Sequence, residues 1–190
     1  MKSLLSENIC HSEQSQLLII DIQDRLAAAM PDKVIEKVIN NNNILLQAAN
    51  ELDIPVIHSE QYPKGLGNTV AELTKNLAAS NQVITKTQFS CSGSDEFNNL
   101  VLRNKRKQII ISGIETHVCV LQTALQLHAQ GFLVYVVADA VCSRSKFNYK
   151  NALQRLRQAG IIITNVESVL FEWLRDAAHP KFKIVSKLIK

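Results

Sequence analysis

Gln108-Ile-Ile-Ile-Ser112 runs directly into Gly113-Ile-Glu-Thr-His-Val-Cys119, and this junction decides the fold. The first five residues are the most β-branched run of the chain and read as a buried strand. A helical period takes over near Thr116 and continues to Gln130. Gly131 stands where a left-handed C-cap is common. An apolar strand followed at once by a helix is half of a parallel βαβ unit. The same alternation extends outward in both directions. Upstream lie the strands Leu17–Asp21, Ile54–His58 and Gln82–Lys86, with helices over Val34–Leu52, Val70–Leu77 and Asp95–Asn104, the last capped by Ser94 or Asp95. Downstream come the strand Phe132–Ala138, a helix over Tyr149–Ala159 closed by Gly160, the strand Ile161–Thr164 and a final helical region from Ser168 to Leu174. Several strands are apolar throughout, as in parallel sheets covered on both faces. The expectation is a three-layer, doubly wound α/β sheet of six parallel strands.

Composition agrees with that class. The chain has 190 residues, 46% hydrophobic and 20% charged, with 21 Lys+Arg against 17 Asp+Glu and a net charge of +4. This suits one domain with a full core and argues against disorder. No repeat or linker divides the chain, so a single domain over 1–190 is expected, with residues 1–15 as an N-terminal extension. No apolar run reaches bilayer length, so no membrane partner is expected. The N-terminal MKSLLSENICHSEQSQ has no apolar h-region, which points away from a secretory leader and toward the cytoplasm. The four Cys (Cys10, Cys91, Cys119, Cys142) contain no CxxC pair and read as free thiols. The Lys/Arg clusters at 103–107 and 181–190 lack interleaved aromatics, so no nucleic-acid partner is expected.

In doubly wound sheets ligands sit beyond the carboxyl ends of the strands. Three strand ends carry chemistry here. Asp21 closes the first strand, Lys86 closes the third, and Cys119 lies in the first helical turn after the fourth. Unpaired N–H groups and the helix dipole at such a turn favour a thiolate, and a nearby Lys would favour it further. Together the three residues make a nucleophile, a base and a stabilising cation. Taken singly, each has a plainer reading: Cys119 as a small core residue, Asp21 as a turn cap, Lys86 as a solvated charge.

The order Ile20-Asp21-Ile22-Gln23, then Lys86-Thr-Gln-Phe-Ser90, then Gly113-Ile-Glu-Thr-His-Val-Cys-Val120 resembles the isochorismatase-like cysteine hydrolase family. Glu60–Gly67, Gly113–Leu127 and Arg175–Lys183 resemble its isochorismatase domain-containing branch most. The resemblance implies strand order 3-2-1-4-5-6, which makes the first and fourth strands neighbours. It implies Asp21 as base, Lys86 as cation and Cys119 as nucleophile. It also implies a non-proline cis peptide at Ile114–Glu115, with the N–H groups of Glu115 and Cys119 as oxyanion donors. Family members are commonly homo-oligomers. The metal-dependent nicotinamidases of the family carry Asp-x-His and a further His. This chain has Asp21-Ile-Gln23 and His58-Ser-Glu-Gln-Tyr62 instead, so neither a metal nor another cofactor is expected. Isochorismatases that cleave a vinyl ether lack the nucleophilic Cys, and the thiol favours acyl transfer.

The expected activity is hydrolysis of an amide or related C–N acyl bond of a small molecule through a covalent Cys119 intermediate. Gln23, Gln61, Tyr62 and Phe89 are candidate substrate contacts, and the Glu60–Gly67 loop is either a cover or a plain turn. The alternatives are ether hydrolysis, a redox thiol protein and a non-catalytic scaffold. A Cys119/His117 dyad is disfavoured, because side chains two apart on a helix do not face each other. Asp24 is the alternative base, set aside for an ion pair with Arg25. Cys91 packs or borders the pocket, Cys142 is structural, Cys10 is exposed, and Trp173 is a core or interface residue.

Overall fold

The computed structural model describes residues 8–189; residues 1–7 of the expected N-terminal extension, and residue 190, lie outside the described residues. Six strands form one sheet: β1 (Ser15–Ile20), β2 (Val56–Gln61), β3 (Gln82–Lys86), β4 (Gln108–Ile114), β5 (Leu133–Cys142) and β6 (Ile162–Thr164). Their order is β3-β2-β1-β4-β5-β6 and every pairing is parallel. The helices are α1 (Asp24–Ala28), α2 (Asp32–Glu51), α3 (Pro63–Leu66), α4 (Ala71–Thr74), α5 (Asp95–Arg103), α6 (Leu121–Ala129), α7 (Lys146–Gln158), α8 (Val166–Leu174) and α9 (Phe182–Val185).

The sheet separates two cores. On one face α2 contributes Ile35, Val38, Leu45 and Leu46, and α8 adds Val169, Leu170 and Trp173. On the other, α5, α6 and α7 bring Phe97, Ala124, Leu127 and Leu156 against Leu18, Ile20 and Ile111. β1 and β4 are buried at every position, their apolar runs Leu17–Ile20 and Ile109–Ile111 together with the polar Ser15, Gln16, Gln108 and Ser112. Trp173 is a core residue: it is fully enclosed and its indole N–H donates to Ser15 Oγ at 3.0 Å. Among the described residues no helix is long and apolar enough to cross a membrane.

The departures from the sequence reading cluster at the carboxyl edge of the sheet. β2 starts after Pro55 and extends to Gln61, which brings Ser59 and Gln61 into the strand. β5 continues to Cys142 because its register shifts: Ile111 pairs with Val136, but Gly113 pairs with Val141. The residues between bulge out and the strand resumes. The helix after β4 opens with a π-helical turn, Thr116–Val120, before α6 begins. Such turns interrupt regular packing and are frequent at functional sites. Cys10, expected at the surface, is buried. Residues 9–14 fold back onto the domain, where Cys10 N–H donates to Glu172 at 2.7 Å and Gln108 N–H donates to Gln14 O at 3.0 Å.

Candidate active site

Gly113 lets the first and fourth strands approach closely. It pairs with Ile20, has φ 114°, and a Cβ there would collide with the Ile20 backbone. Beyond this contact Asp21 leaves β1 with φ 51°, a left-handed conformation that Asp tolerates better than most residues. The chain after Gly113 passes through the cis Ile114–Glu115 peptide into the turn that carries Cys119.

Lys86 ends β3, so its side chain must cross the end of β2 to reach Asp21. Its Nζ lies 2.6 Å from Asp21 Oδ2, 2.8 Å from Gln61 Oε1 and 3.1 Å from Phe89 O. An ammonium has three donors, and all three are committed. Ser59 Oγ donates to the other Asp21 oxygen, Oδ1, at 2.7 Å, and Cys91 Sγ lies 3.5 Å behind Ser59 Oγ. The Cys119 thiol is buried close enough to Asp21 and Lys86 for both charges to act on it. Asp21, Lys86 and Cys119, more than thirty residues apart at the closest in sequence, therefore share one buried cluster.

The electrostatics correct one expectation. The sequence position of Cys119 suggested a depressed thiol pKa. Instead, burial pushes it well above the ordinary thiol range, and the Asp21 carboxylate pushes it further; Lys86 acts in the opposite direction and does not prevail. Charge in a low-dielectric site costs more than the start of a helix returns. Cys91 is pushed up to about 11, by burial first and despite Lys86. Burial presses the Lys86 pKa down, but Asp21 and the neighbouring thiols outweigh it and the net direction is up. At neutral pH the cluster thus holds an ammonium–carboxylate pair beside a protonated thiol.

Gln23 and Gln61 are buried and fully engaged with protein. Gln61 N–H donates to Gln23 Oε1 at 2.6 Å, and Gln23 Nε2 donates to Gln61 O and Gly67 O. Gln61 Nε2 donates to Thr87 O at 2.7 Å, and its Oε1 accepts from Lys86. Tyr62 and Phe89 differ: the residues are 54% and 55% exposed, and both backbones bond Lys86. The Glu60–Gly67 loop is tied down, since Glu60 Oε1 accepts from both Thr69 N–H and Oγ1.

Around the turn that carries Cys119, Ile114 is enclosed and Glu115 is nearly so. Glu115 Oε2 accepts from the N–H and Nε of Arg144, and its backbone carbonyl accepts from Val118 and Val120. His117 is held away from Cys119: Nδ1 sits 3.0 Å from Ser143 Oγ and Nε2 3.3 Å from Asn148. Asp24 is exposed at the start of α1. Cys142 is buried in the α2-side core, pushed up to about 12 by burial and Glu115. Among the described residues, no group of three or more His, Cys, Asp or Glu side chains is disposed to hold a metal ion. Sequence reading missed Ser59 and Arg144. Ser59 carries one usable signal: it is a polar residue level with Ile20, the last residue of the adjacent strand.

The isochorismatase domain model matches residues 15–168. Isochorismatase domain-containing protein 2 of Xenopus laevis is 39% identical over 189 residues, covering 100% of this chain and 90% of its own. The structure of MAR1 ribonuclease from Caenorhabditis elegans superposes with a TM-score of 0.90 at 39% identity, covering 95% of this chain and 92% of that one. An octameric hydrolase of unknown specificity from Escherichia coli gives 0.88 at 26% identity, covering 100% and 91%. The sheet order is that of these folds and the family model covers the sheet from β1 to β6, so the chain belongs to the isochorismatase-like hydrolase family.

Proposed function

We propose that this hydrolase cleaves an amide or related C–N acyl bond of a small molecule through a thioester on Cys119. The observation that carries the reading is a buried Lys86–Asp21 ion pair placed close enough to the Cys119 thiol to act on it. The thiol is protonated at rest, so it must lose its proton as it attacks. Asp21 accepts that proton while Cys119 sulfur bonds to the substrate carbonyl carbon. The N–H groups of Glu115 and Cys119 are the assigned donors to the resulting oxyanion. The C–N bond then breaks as Asp21 returns the proton to the leaving amine. Water enters, gives a proton to Asp21 and attacks the thioester carbonyl. The acid departs and sulfur recovers its proton.

Lys86 has no free donor for substrate or sulfur. Its work is that of a fixed charge that keeps Asp21 in place and offsets the developing negative charge on sulfur. Gln23, Gln61 and Ser59 position that pair, and Tyr62 and Phe89 are the substrate contacts that remain exposed. A redox role is less well supported, because burial holds Cys91, Cys119 and Cys142 protonated, and oxidation begins from the thiolate. A scaffold would gain little from a wholly buried ion pair, whose desolvation cost is large. The octameric neighbour and the 76% exposed Phe147 support a homo-oligomer.

The test is an acid-quenched mass screen with small amides, carbamoyl compounds and esters, with an RNA arm alongside. The expected result is an acyl adduct on Cys119 with at least one compound, and loss of its turnover in Cys119→Ala and Cys119→Ser. Full turnover by Cys119→Ala, or RNA cleavage that needs Cys119 with no acyl adduct, would overturn the reading.

A further inference from the structure

A concavity that includes none of Asp21, Lys86 and Cys119 lies between the start of α2 and the end of β5. Its volume is about 420 Å³, within the range of small-molecule sites. Val34, Val38, Cys142 and Tyr149 give it an apolar floor. Its lining draws on both cores, Val38 and Cys142 from the α2 face and Val141 and Tyr149 from the face that holds Cys119. Lys33, Lys37 and Lys146 stand on the rim. Lys33 and Lys37 are one helical turn apart, on the side of α2 that presents Val34 and Val38.

The charges around this groove are unbalanced. Among the described residues none of the three lysines forms an ion pair. Asp139 is the one acidic residue in the lining, and its Oδ1 is occupied by the Val166 N–H at 3.0 Å. Three like charges around an apolar floor repel one another, and an anion seated among them relieves that repulsion. Val34 remains 43% exposed, so a neutral surface patch is left for an apolar body.

We propose that this groove binds a small organic anion, a carboxylate or sulfonate carrying an apolar body about the size of one ring. The body rests on Val34, Val38 and Tyr149, and the anionic group lies among Lys33, Lys37 and Lys146. The site does not include the Cys119 thiol and does not depend on the reaction assigned above.

Calorimetric titration of the full chain with 4-phenylbutyrate tests this. A ligand of about twelve non-hydrogen atoms should bind saturably, with Kd on the order of 0.1–1 mM. 4-Phenyl-1-butanol, which lacks the charge, should bind at least about tenfold more weakly, as should the acid to the Lys37→Ala/Lys146→Ala variant. Both lysines are exposed, so the variant should melt like the parent. Cys119→Ala should bind the acid as the parent does. No saturable binding, equal binding of acid and alcohol, indifference to the lysine substitutions, or loss of binding in Cys119→Ala would each overturn the proposal.

Discussion

Lys86 Nζ and Asp21 Oδ2 lie 2.6 Å apart with both side chains fully enclosed, and the lysine crosses an entire intervening strand to make the contact. Removing one partner strands the other charge in a low-dielectric site. Asp21→Asn or Lys86→Met should each cost about 3–5 kcal/mol in urea unfolding. The double variant should cost less than the sum of the two, because no buried charge remains unpaired. Additive single costs would mean that the pair contributes nothing as a pair.

Ser59 supplies the donor to Asp21 Oδ1. Ser59→Ala removes a buried hydrogen bond to a charged group, worth about 1.5–3 kcal/mol of stability. It should lower kcat roughly tenfold with little change in KM if Ser59 positions Asp21 as the proposed base and makes no substrate contact. Ser59→Thr should restore much of the rate. A change in KM alone would place Ser59 in the substrate site.

Alkali should destabilise the protein earlier than lysine titration alone would. Cys91 and Cys142 are raised from 9.0 to about 11 and about 12, and Cys10 and Cys119 are also raised. Above pH 9.0 the unfolded chain releases thiol protons that the native chain keeps, so stability falls as pH rises from there toward the folded values. Each such thiol contributes a slope of up to about 1.4 kcal/mol per pH unit. Lys86, raised from 10.5, adds a further loss above that pH. Urea midpoints measured from about pH 8 to about pH 10.5 should decline steadily. A flat profile would contradict the burial of these thiols.

Gly113→Ala places a methyl group against the Ile20 backbone at a positive φ. A loss of about 2–4 kcal/mol is expected, together with a displaced Asp21 and greatly reduced turnover. His117→Ala, by contrast, should retain activity within about threefold, because both ring nitrogens face away from Cys119.

The sheet was legible because its central strands carry the apolar runs Leu17–Ile20 and Ile109–Ile111, and the cluster was legible because Asp21, Lys86 and Cys119 are polar or reactive residues at or just past the ends of strands. What sequence could not supply is depth. Cys10 sits in a polar stretch, yet its partner Glu172 lies 162 residues away. The thiol pKa of Cys119 was misjudged because local helix position is visible in sequence and desolvation is not. Gln23 and Gln61 looked like substrate contacts, but Gln23 is bonded to the Gln61 and Gly67 backbone and Gln61 to Thr87 and Lys86, none of which the sequence shows as neighbours. The extra length of β5 comes from a bulge, which apolar patterning does not mark.

The central claim is that Asp21 receives the thiol proton during attack and does not keep sulfur ionised beforehand. Alkylation of Cys119, followed by mass spectrometry across pH in the parent and in folded Asp21→Asn, tests it most directly. Asp21 raises the thiol pKa while Lys86 lowers it, so Asp21→Asn should alkylate faster near neutral pH even as hydrolysis disappears. Slower alkylation in Asp21→Asn, falling in step with hydrolysis, would contradict the account.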